Sequence, residues 1–228
     1  MHWLTLAPLL TLVSAAAPAS EKRFMVTGFD RLRVDGPFRV EVLPGSPRAV
    51  ASGDAKALDH IAIRVDGSTL VVNMGTVAWK LRAIEAPEAV TITVYVPLLR
   101  TLTVNGGASV KVAEMRGGRV DLGLNGAGAI QVSAIRADDL NVTLTGTGEV
   151  TLAGATARAR VRSYGAGSVA AEGLTAGDAV LIAESSGNLT MRVRYTAQVS
   201  ALGVGAVAVL GNPKCRVSGA GPVACGDR

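Results

Sequence analysis

Large aromatic side chains, histidine and cysteine are scarce in this sequence of 228 residues. Phe, Trp and Tyr together make up 4% of it, and it has two His and two Cys. With so few rings, a strand-rich fold needs a thin core of aliphatic side chains, and nucleic-acid binding by base stacking is disfavoured. Two histidines exclude a histidine-rich metal site, so we expect no metal and no cofactor, with His60 exposed or bonded locally.

Long apolar runs are also missing, except at the N-terminus. Trp3 to Ala17 is apolar and uncharged, and Ala17-Pro18-Ala19 offers a small-x-small cleavage site before Ser20. This pattern predicts a signal peptide over residues 1–19, and a buried N-terminal helix fits the same ending less well. No later run has membrane-spanning length, so we expect no transmembrane segment and export to the periplasm or the cell surface.

Glycine is abundant, with 27 residues, and much of it lies in a short turn phrase that occurs seven times. The first three copies begin at Gly106, Gly126 and Gly146, a period of 20 residues. A fixed period of this size is typical of stacked-coil architectures, whose repeats bury their apolar faces against their neighbours. The predicted turn glycines are Gly106, Gly126, Gly128, Gly146, Gly148, Gly165, Gly167, Gly187, Gly203, Gly205, Gly219 and Gly221.

Side chains around each turn alternate between apolar and polar. Even offsets from the turn carry residues such as Leu122, Leu124, Ile130 and Val132, whereas odd offsets are mostly polar or charged. This period of two predicts strands with one buried face, which stack at about 4.8 Å as parallel ladders. We therefore predict an all-β fold, a parallel β-helix or β-roll-like solenoid of about seven coils of ~20 residues.

The segment before the repeats has strand-like runs without the same period, and a short helix is expected over residues 55–60. We predict that residues 20–97 form an irregular N-terminal β portion that caps the stack. Residues 98–228 then form the repeat solenoid, which ends in a disulfide cap. No linker separates the two portions, so we treat the mature chain as one domain.

Three motifs carry a resemblance to a known family. They are Phe29-Asp30-x-Leu32-x-Val34-x-Gly36-Pro37-Phe38, then Asp66-Gly67-x-x-Leu70, then Val94-Tyr95-Val96-Pro97 leading into the repeats. In this order they resemble the bacterial head GIN-domain proteins, which are described as autotransporter-adhesin heads. The resemblance implies a right-handed β-helix-like fold, a cell-envelope location and an adhesive role, and it supplies no catalytic residues.

Both cysteines lie in the last repeat, at offsets that are apolar in the other coils. In an oxidising compartment, Cys215 and Cys225 are expected to form a disulfide across the final glycine turn. A redox or metal pair fits poorly, because the spacing is not Cys-x-x-Cys and no histidine accompanies them. The disulfide would staple the open end of the solenoid, and with both ends capped we expect a monomer or small oligomer.

The net charge of +5 contains no contribution from the predicted signal segment. Stacking would place two basic sets on one face, about 14 Å apart. This face could bind acidic envelope glycan, lipopolysaccharide phosphate, anionic lipid or a surface protein. Alternatively, it is a solvated face that discourages aggregation, diluted by Asp121, Asp139 and Asp178. The basic residues are Arg158, Arg160, Arg162, Lys214 and Arg216.

Catalysis has weaker support in the sequence. The Gly-x-Gly pairs link strand to strand and open no helix, unlike nucleotide-binding loops. Asp138 and Asp139 lie where one coil is expected to turn into the next, which favours a turn role over acid–base work. We therefore predict a non-catalytic envelope-binding protein. The alternative is a carbohydrate-active enzyme, a polysaccharide lyase or hydrolase with an unrecognised site.

Overall fold

The computed structural model describes residues 20–75 and 90–226 of the protein. The predicted signal peptide, residues 1–19, lies outside the described residues. About 73% of the described residues are in strands and 3% are in the helix, and the parallel coils stack into a solenoid of about six turns. The predicted all-β solenoid is confirmed.

Seventeen strands form one continuous sheet that winds around the core. They are β1 Ser20–Phe24, β2 Arg31–Asp35, β3 Arg39–Pro44, β4 Arg48–Gly53, β5 Ile61–Asp66, β6 Thr69–Met74, β7 Thr91–Val96, β8 Thr101–Gly106, β9 Ser109–Val112, β10 Met115–Gly126, β11 Ala129–Gly146, β12 Glu149–Gly165, β13 Ser168–Ser185, β14 Leu189–Ala201, β15 Val207–Leu210, β16 Lys214–Ser218 and β17 Val223–Cys225. The single helix in this part of the chain, α1, spans Ala55–Asp59 and is capped by the Asp54 carboxylate.

One coil shows how alternation builds the core. Along β11, the buried side chains are Ile130, Val132, Ile135, Leu140, Val142 and Leu144, and most of the residues between them face solvent. The same positions are buried in the neighbouring coils, so the inward side chains form continuous stacks. The small β-branched and aliphatic residues predicted from the composition fill this thin core.

Two parallel ladders flank the glycine turns. Strand segments that precede a turn pair in register from β2 and β8, through β10 to β14, to β16. We call this ladder the pre-turn sheet. Segments that follow a turn form the post-turn sheet, from β3 and β9 to β15 and β17. A slip of one residue would turn the apolar side chains outward, so the alternation fixes the register.

From the second turn onward, the turns stack so closely that a Cβ at most of the turn glycines would meet the backbone of the preceding coil. Gly126 has φ +126°, and a Cβ placed there would lie 2.6 Å from the carbonyl oxygen of Gly106. In the fifth turn, Ser185 takes the glycine position. Its hydroxyl donates to the Gly167 carbonyl at 3.1 Å and accepts from the Gly187 amide at 2.9 Å, so this buried polar group is satisfied.

The N-terminal end of the stack includes antiparallel strands. β4 pairs with β7, β1 with β4, and β5 with β6, all antiparallel. Among the described strands, β1 and β5 each pair on one side only. Helix α1 contacts β1 and β4, so it lies beside the post-turn sheet.

At the other end, β16 and β17 pair only with the coil before them in the described chain. A disulfide joins Cys215 and Cys225, whose Cα atoms lie 6.7 Å apart. Both cysteines are exposed, although Ala197 and Val209 are buried one coil earlier in the same positions. The inward side of the last coil is therefore open, because no further described coil covers it.

Candidate binding face

The outward side of the pre-turn sheet carries residues in columns, each made of residues that pair in register from coil to coil. Arg158 stands between Asp139 and Asp178 in one column. Arg160 stands between Asn141 and Val180 in the next. The two arginines lie on the same strand, but their neighbours differ in charge.

Arg158 is held by an acidic partner in the preceding coil. Its Nε donates to Asp139 Oδ1 at 2.6 Å and its Nη2 donates to Oδ2 at 2.8 Å. These hydrogen bonds lower the pKa of the Asp139 carboxyl and raise that of the Arg158 guanidinium. The positive charge of Arg158 is thus compensated within the sheet and adds little to the field of the face.

Arg160 and Arg162 have no ion pair among the described residues. Arg160 is exposed, and Arg162 is half-buried between Thr143 and Ile182 of the adjacent coils. Neither residue has a carboxylate next to it in its column. Their side chains point to the same side of one strand, with Cα atoms about 6.6 Å apart. These two cations are available to an external anion.

The second basic set continues the same columns near the C-terminal end. Lys214 pairs with Thr196, which pairs with Asp178 in the Arg158 column. Arg216 pairs with Gln198 in the Arg160 column. Three coil steps separate the two sets, or about 14 Å. Lys214 and Arg216 also have no ion pair in the described part of the chain.

Two other arginines of this face are compensated. Arg33 donates to both Asp35 oxygens at 3.0 and 2.9 Å, and Arg119 donates to both Asp121 oxygens at 3.0 and 3.1 Å. Arg64 on β5 shares the Arg162 column, is exposed and has no ion pair in the described chain. Four further cations without an ion pair lie in the C-terminal half of the face. We call Arg160, Arg162, Lys214 and Arg216 the cationic strip.

A shallow depression of about 210 Å³ lies between the two sets of cations. Asn141, Arg160 and Gln198 line it, together with Asp178 and Thr196. The Thr196 hydroxyl donates to Asp178 Oδ1 at 2.5 Å, which occupies one oxygen of that carboxylate. Amide, hydroxyl and guanidinium groups around a hollow can hydrogen-bond hydroxyl-rich and anionic groups.

The edge of the face beside the glycine turns is a ladder of polar side chains. The Asn125 amide donates to Asn105 Oδ1 at 3.0 Å, and the Asn105 amide donates to Asp35 Oδ1 at 2.6 Å. Thr145 and Tyr164 continue this column on the following coils. The bonded side chains tie successive turns together and give the face one defined edge.

The remaining candidates from the sequence do not meet in a reaction centre. Asp139 is committed to Arg158, and its lowered pKa makes it a poor proton donor near neutral pH. His60 ends helix α1, and its carbonyl accepts from the Gly75 amide at 2.7 Å. In the described residues, no group of three or more His, Cys, Asp and Glu side chains could hold a metal ion. The described chain also contains no helix long and apolar enough to cross a membrane.

The ion pairs of these arginines were not predicted from the sequence. Arg158 and Asp139 are 19 residues apart, the local repeat spacing, so the period placed them side by side. The link of Arg31 and Arg33 to this face was also missed. Leu32 and Val34 alternate like Leu102 and Val104, and β2 does pair in register with β8.

The sequence matches one family over most of its length. A sequence model of that family, described as "Putative auto-transporter adhesin, head GIN domain", matches residues 28–213. The chain belongs to this family. The resemblance seen in its N-terminal motifs is thereby confirmed, and no curated protein matches the sequence.

Several solved structures share the fold of this chain. A putative adhesin from Bacteroides fragilis has a TM-score of 0.82 and 18% identity, covering 91% of this chain and 97% of its own. A putative lipid binding protein from Parabacteroides distasonis has a TM-score of 0.69 and 18% identity, covering 92% and 97%. A putative adhesin from Parabacteroides merdae has a TM-score of 0.64 and 15% identity, covering 92% and 96%.

Proposed function

We propose that this head GIN-domain protein is a non-catalytic binding protein of the bacterial envelope. Its cationic strip would hold the carboxylate or phosphate groups of an envelope glycan or lipid. The adhesin description of its family and the names of the similar adhesins and lipid binding protein support a binding role. One observation carries the proposal. Asp139, Asp121 and Asp35 hold Arg158, Arg119 and Arg33 in ion pairs, whereas Arg160 and Arg162 have no ion pair in the described chain.

Arginine suits this task because its planar guanidinium can donate two parallel hydrogen bonds to one carboxylate or phosphate. Arg160 and Arg162 could hold one acidic group between them, or two neighbouring groups. Lys214 and Arg216 could hold another about 14 Å along the stack. A polymer or a membrane surface that presents repeated anions would engage both sets at once, and such multivalent contact raises the apparent affinity.

Export completes the proposal, since an envelope ligand requires an envelope location. The predicted signal peptide over residues 1–19 and the adhesin description of the family both support it. N-terminal sequencing of the protein recovered from its producer tests this directly. We expect the mature chain to begin at Ser20. A chain recovered from the cytoplasm with Met1 intact would contradict export.

The binding test compares two double variants that lose the same charge from the same face. Arg160→Gln with Arg162→Gln removes unpaired cations, whereas Arg33→Gln with Arg119→Gln removes cations already held by Asp35 and Asp121. Cosedimentation with the producer's envelope fraction is measured at low and raised salt. We expect binding to fall with salt, to be lost in the first variant and to persist in the control.

Two further probes separate the possible sources of the anion. Vesicles that contain phosphatidylglycerol present phosphate on a lipid surface, and polygalacturonate presents carboxylates on a glycan. Binding to only one of them assigns the source. Equal loss of envelope binding in both double variants would indicate a response to net charge alone. Full binding by Arg160→Gln/Arg162→Gln would exclude this face.

A further inference from the structure

Each end of the pre-turn sheet presents a strand with one unpaired edge in the described chain. β5, Ile61–Asp66, is the edge at the N-terminal end, and β16, Lys214–Ser218, is the edge at the C-terminal end. Unpaired amide and carbonyl groups on such edges are templates for pairing with another chain.

The register of the stack shows that the two edges are complementary in charge. Asp66 and Arg216 belong to the same column of outward residues. That column runs from Asp66 through Thr69, Arg31 and Thr101 and, after further steps, through Arg160, Val180 and Gln198 to Arg216. Both charged side chains are exposed, and neither has an ion pair among the described residues.

The adjacent inward column is complementary in its apolar character. It begins at Val65 and ends at Val217. Val217 is 48% exposed, whereas Val199, one coil earlier in that column, is 2% exposed. Val65 is half-buried. The last coil therefore leaves core-type surface open, and Val65 of another copy would extend the same apolar stack.

We propose that the C-terminal end of one copy docks on the N-terminal end of another, with β16 pairing against β5. β5 runs antiparallel to β6, while β16 runs parallel to its neighbours, so the new pair is antiparallel. Continuing the stack puts Arg216 opposite Asp66 and Val217 opposite Val65. Opposite charges facing each other stabilise a strand pair, and apolar pairs bury surface.

The other possible contacts are less favourable. Two copies that met through their β16 strands would bring Lys214 and Arg216 together with their own copies, and like charges repel. The post-turn sheet has an edge protected by Lys22, which lies in an inward column opposite Ala51 and donates to the Leu58 carbonyl at 3.2 Å. An inward charge on an edge strand opposes further pairing there. Docking is thus confined to the pre-turn sheet.

This contact is heterologous, so each copy keeps one free end and the assembly does not close on itself. A single short strand pair is a small interface, and we expect association to be weak and to increase with concentration. Sedimentation velocity of the purified protein over a concentration series measures this. The expected result is a sedimentation coefficient that rises past the dimer value without a plateau.

Charge reversal tests the predicted pair. Asp66→Arg places two arginines at the contact, and Arg216→Asp places two aspartates there, so each variant alone should sediment as a monomer at every concentration. An equimolar mixture of the two variants restores an Arg–Asp pair at each contact and should recover the wild-type association. Arg116→Asp, a reversal of an exposed arginine in the middle of the stack, should associate like the wild type.

Three results would overturn the proposal: a wild-type protein that stays monomeric, single variants that still associate, or a mixture that does not recover. If Arg216→Asp lost self-association while Asp66→Arg kept it, the contact would instead join two C-terminal ends, and the proposal would be wrong. The docking contact shares Arg216 with the cationic strip but uses neither Arg160 nor Arg162. The Arg160→Gln/Arg162→Gln variant should therefore assemble normally while losing envelope binding.

Discussion

The Arg158 guanidinium of one coil and the Asp139 carboxylate of the coil before it form a two-pronged ion pair, with N···O distances of 2.6 and 2.8 Å. The pair links two strands across one step of the stack. It also sets Arg158 apart from Arg160 on the same strand, since the latter has no ion pair among the described residues. For these two arginines, the residue in the neighbouring coil thus decides which one can meet a ligand.

The first prediction concerns the acid range. The Arg158 hydrogen bonds lower the pKa of the Asp139 carboxyl below the ordinary value of an aspartate. The ion pair therefore stabilises the fold fully above the ordinary aspartate pKa, and this contribution is lost as the pH falls through the lowered value. Carboxyl chemical shifts measured by NMR should place the midpoint of Asp139 below that of free aspartate. In Arg158→Gln the midpoint should rise, and an unchanged midpoint would contradict the assignment.

The second prediction concerns the turn glycines. Gly126→Ala forces a Cβ against the Gly106 carbonyl at a backbone φ of +126°, so we expect a loss of about 1–3 kcal/mol in the free energy of unfolding. Gly107→Ala is the matched control. A Cβ there has nothing within 4 Å, and φ lies outside the left-handed region, so stability should be unchanged or slightly higher. Urea unfolding of both variants measures the difference, and equal losses would refute the stacking argument.

The third prediction concerns a buried hydroxyl. Ser163 occupies the inward column of Leu124 and Leu144, and its Oγ has no hydrogen-bond partner among the described residues. An unsatisfied buried polar group costs about 1–3 kcal/mol. Ser163→Ala should therefore raise the free energy of unfolding by about 1 kcal/mol. Ser185→Ala is the comparison and should lower stability, because that hydroxyl makes two hydrogen bonds.

The fourth prediction concerns the disulfide at the open end. Closing a ring between Cys215 and Cys225, 10 residues apart, is worth about 3 kcal/mol in the chain-entropy account. Its loss should act locally, because each coil contacts only its neighbours. In Cys215→Ser/Cys225→Ser, hydrogen exchange should quicken in β16 and β17 while β11 keeps its protection. Equal acceleration in all strands would show that the staple supports the whole stack.

Alternation and the glycine period were enough to predict the coil and its apolar core. Leu122, Val142 and Val161 recur at the repeat spacing, and they stack in the structure as that spacing requires. The antiparallel pairing of β1 with β4 could not be predicted in the same way, because β1 does not share the period of the repeats and pairs with a strand distant in sequence. β5 and β6, in contrast, form a local hairpin around Gly67.

Which arginines form ion pairs was harder to predict from the sequence than which arginines lie on the face. The repeat spacing places Asp139 beside Arg158, and it equally places Asn141 beside Arg160. A list of basic residues on one face does not distinguish these two cases until each column is followed to the next coil. The face was therefore recognisable from the sequence, but its division into compensated and uncompensated cations depended on side-chain geometry.

Each coil sets the register of the next one by pairing with it, and this pairing does not depend on the total number of coils. A gene duplication spanning one period, such as residues 127–146, would insert a coil whose two surfaces match those they displace. The apolar columns would continue unbroken, and the outer face would gain one row. Recombination between the near-identical glycine turns can therefore change the length of this protein in whole coils, and it would change the reach of its surface without redesigning the core.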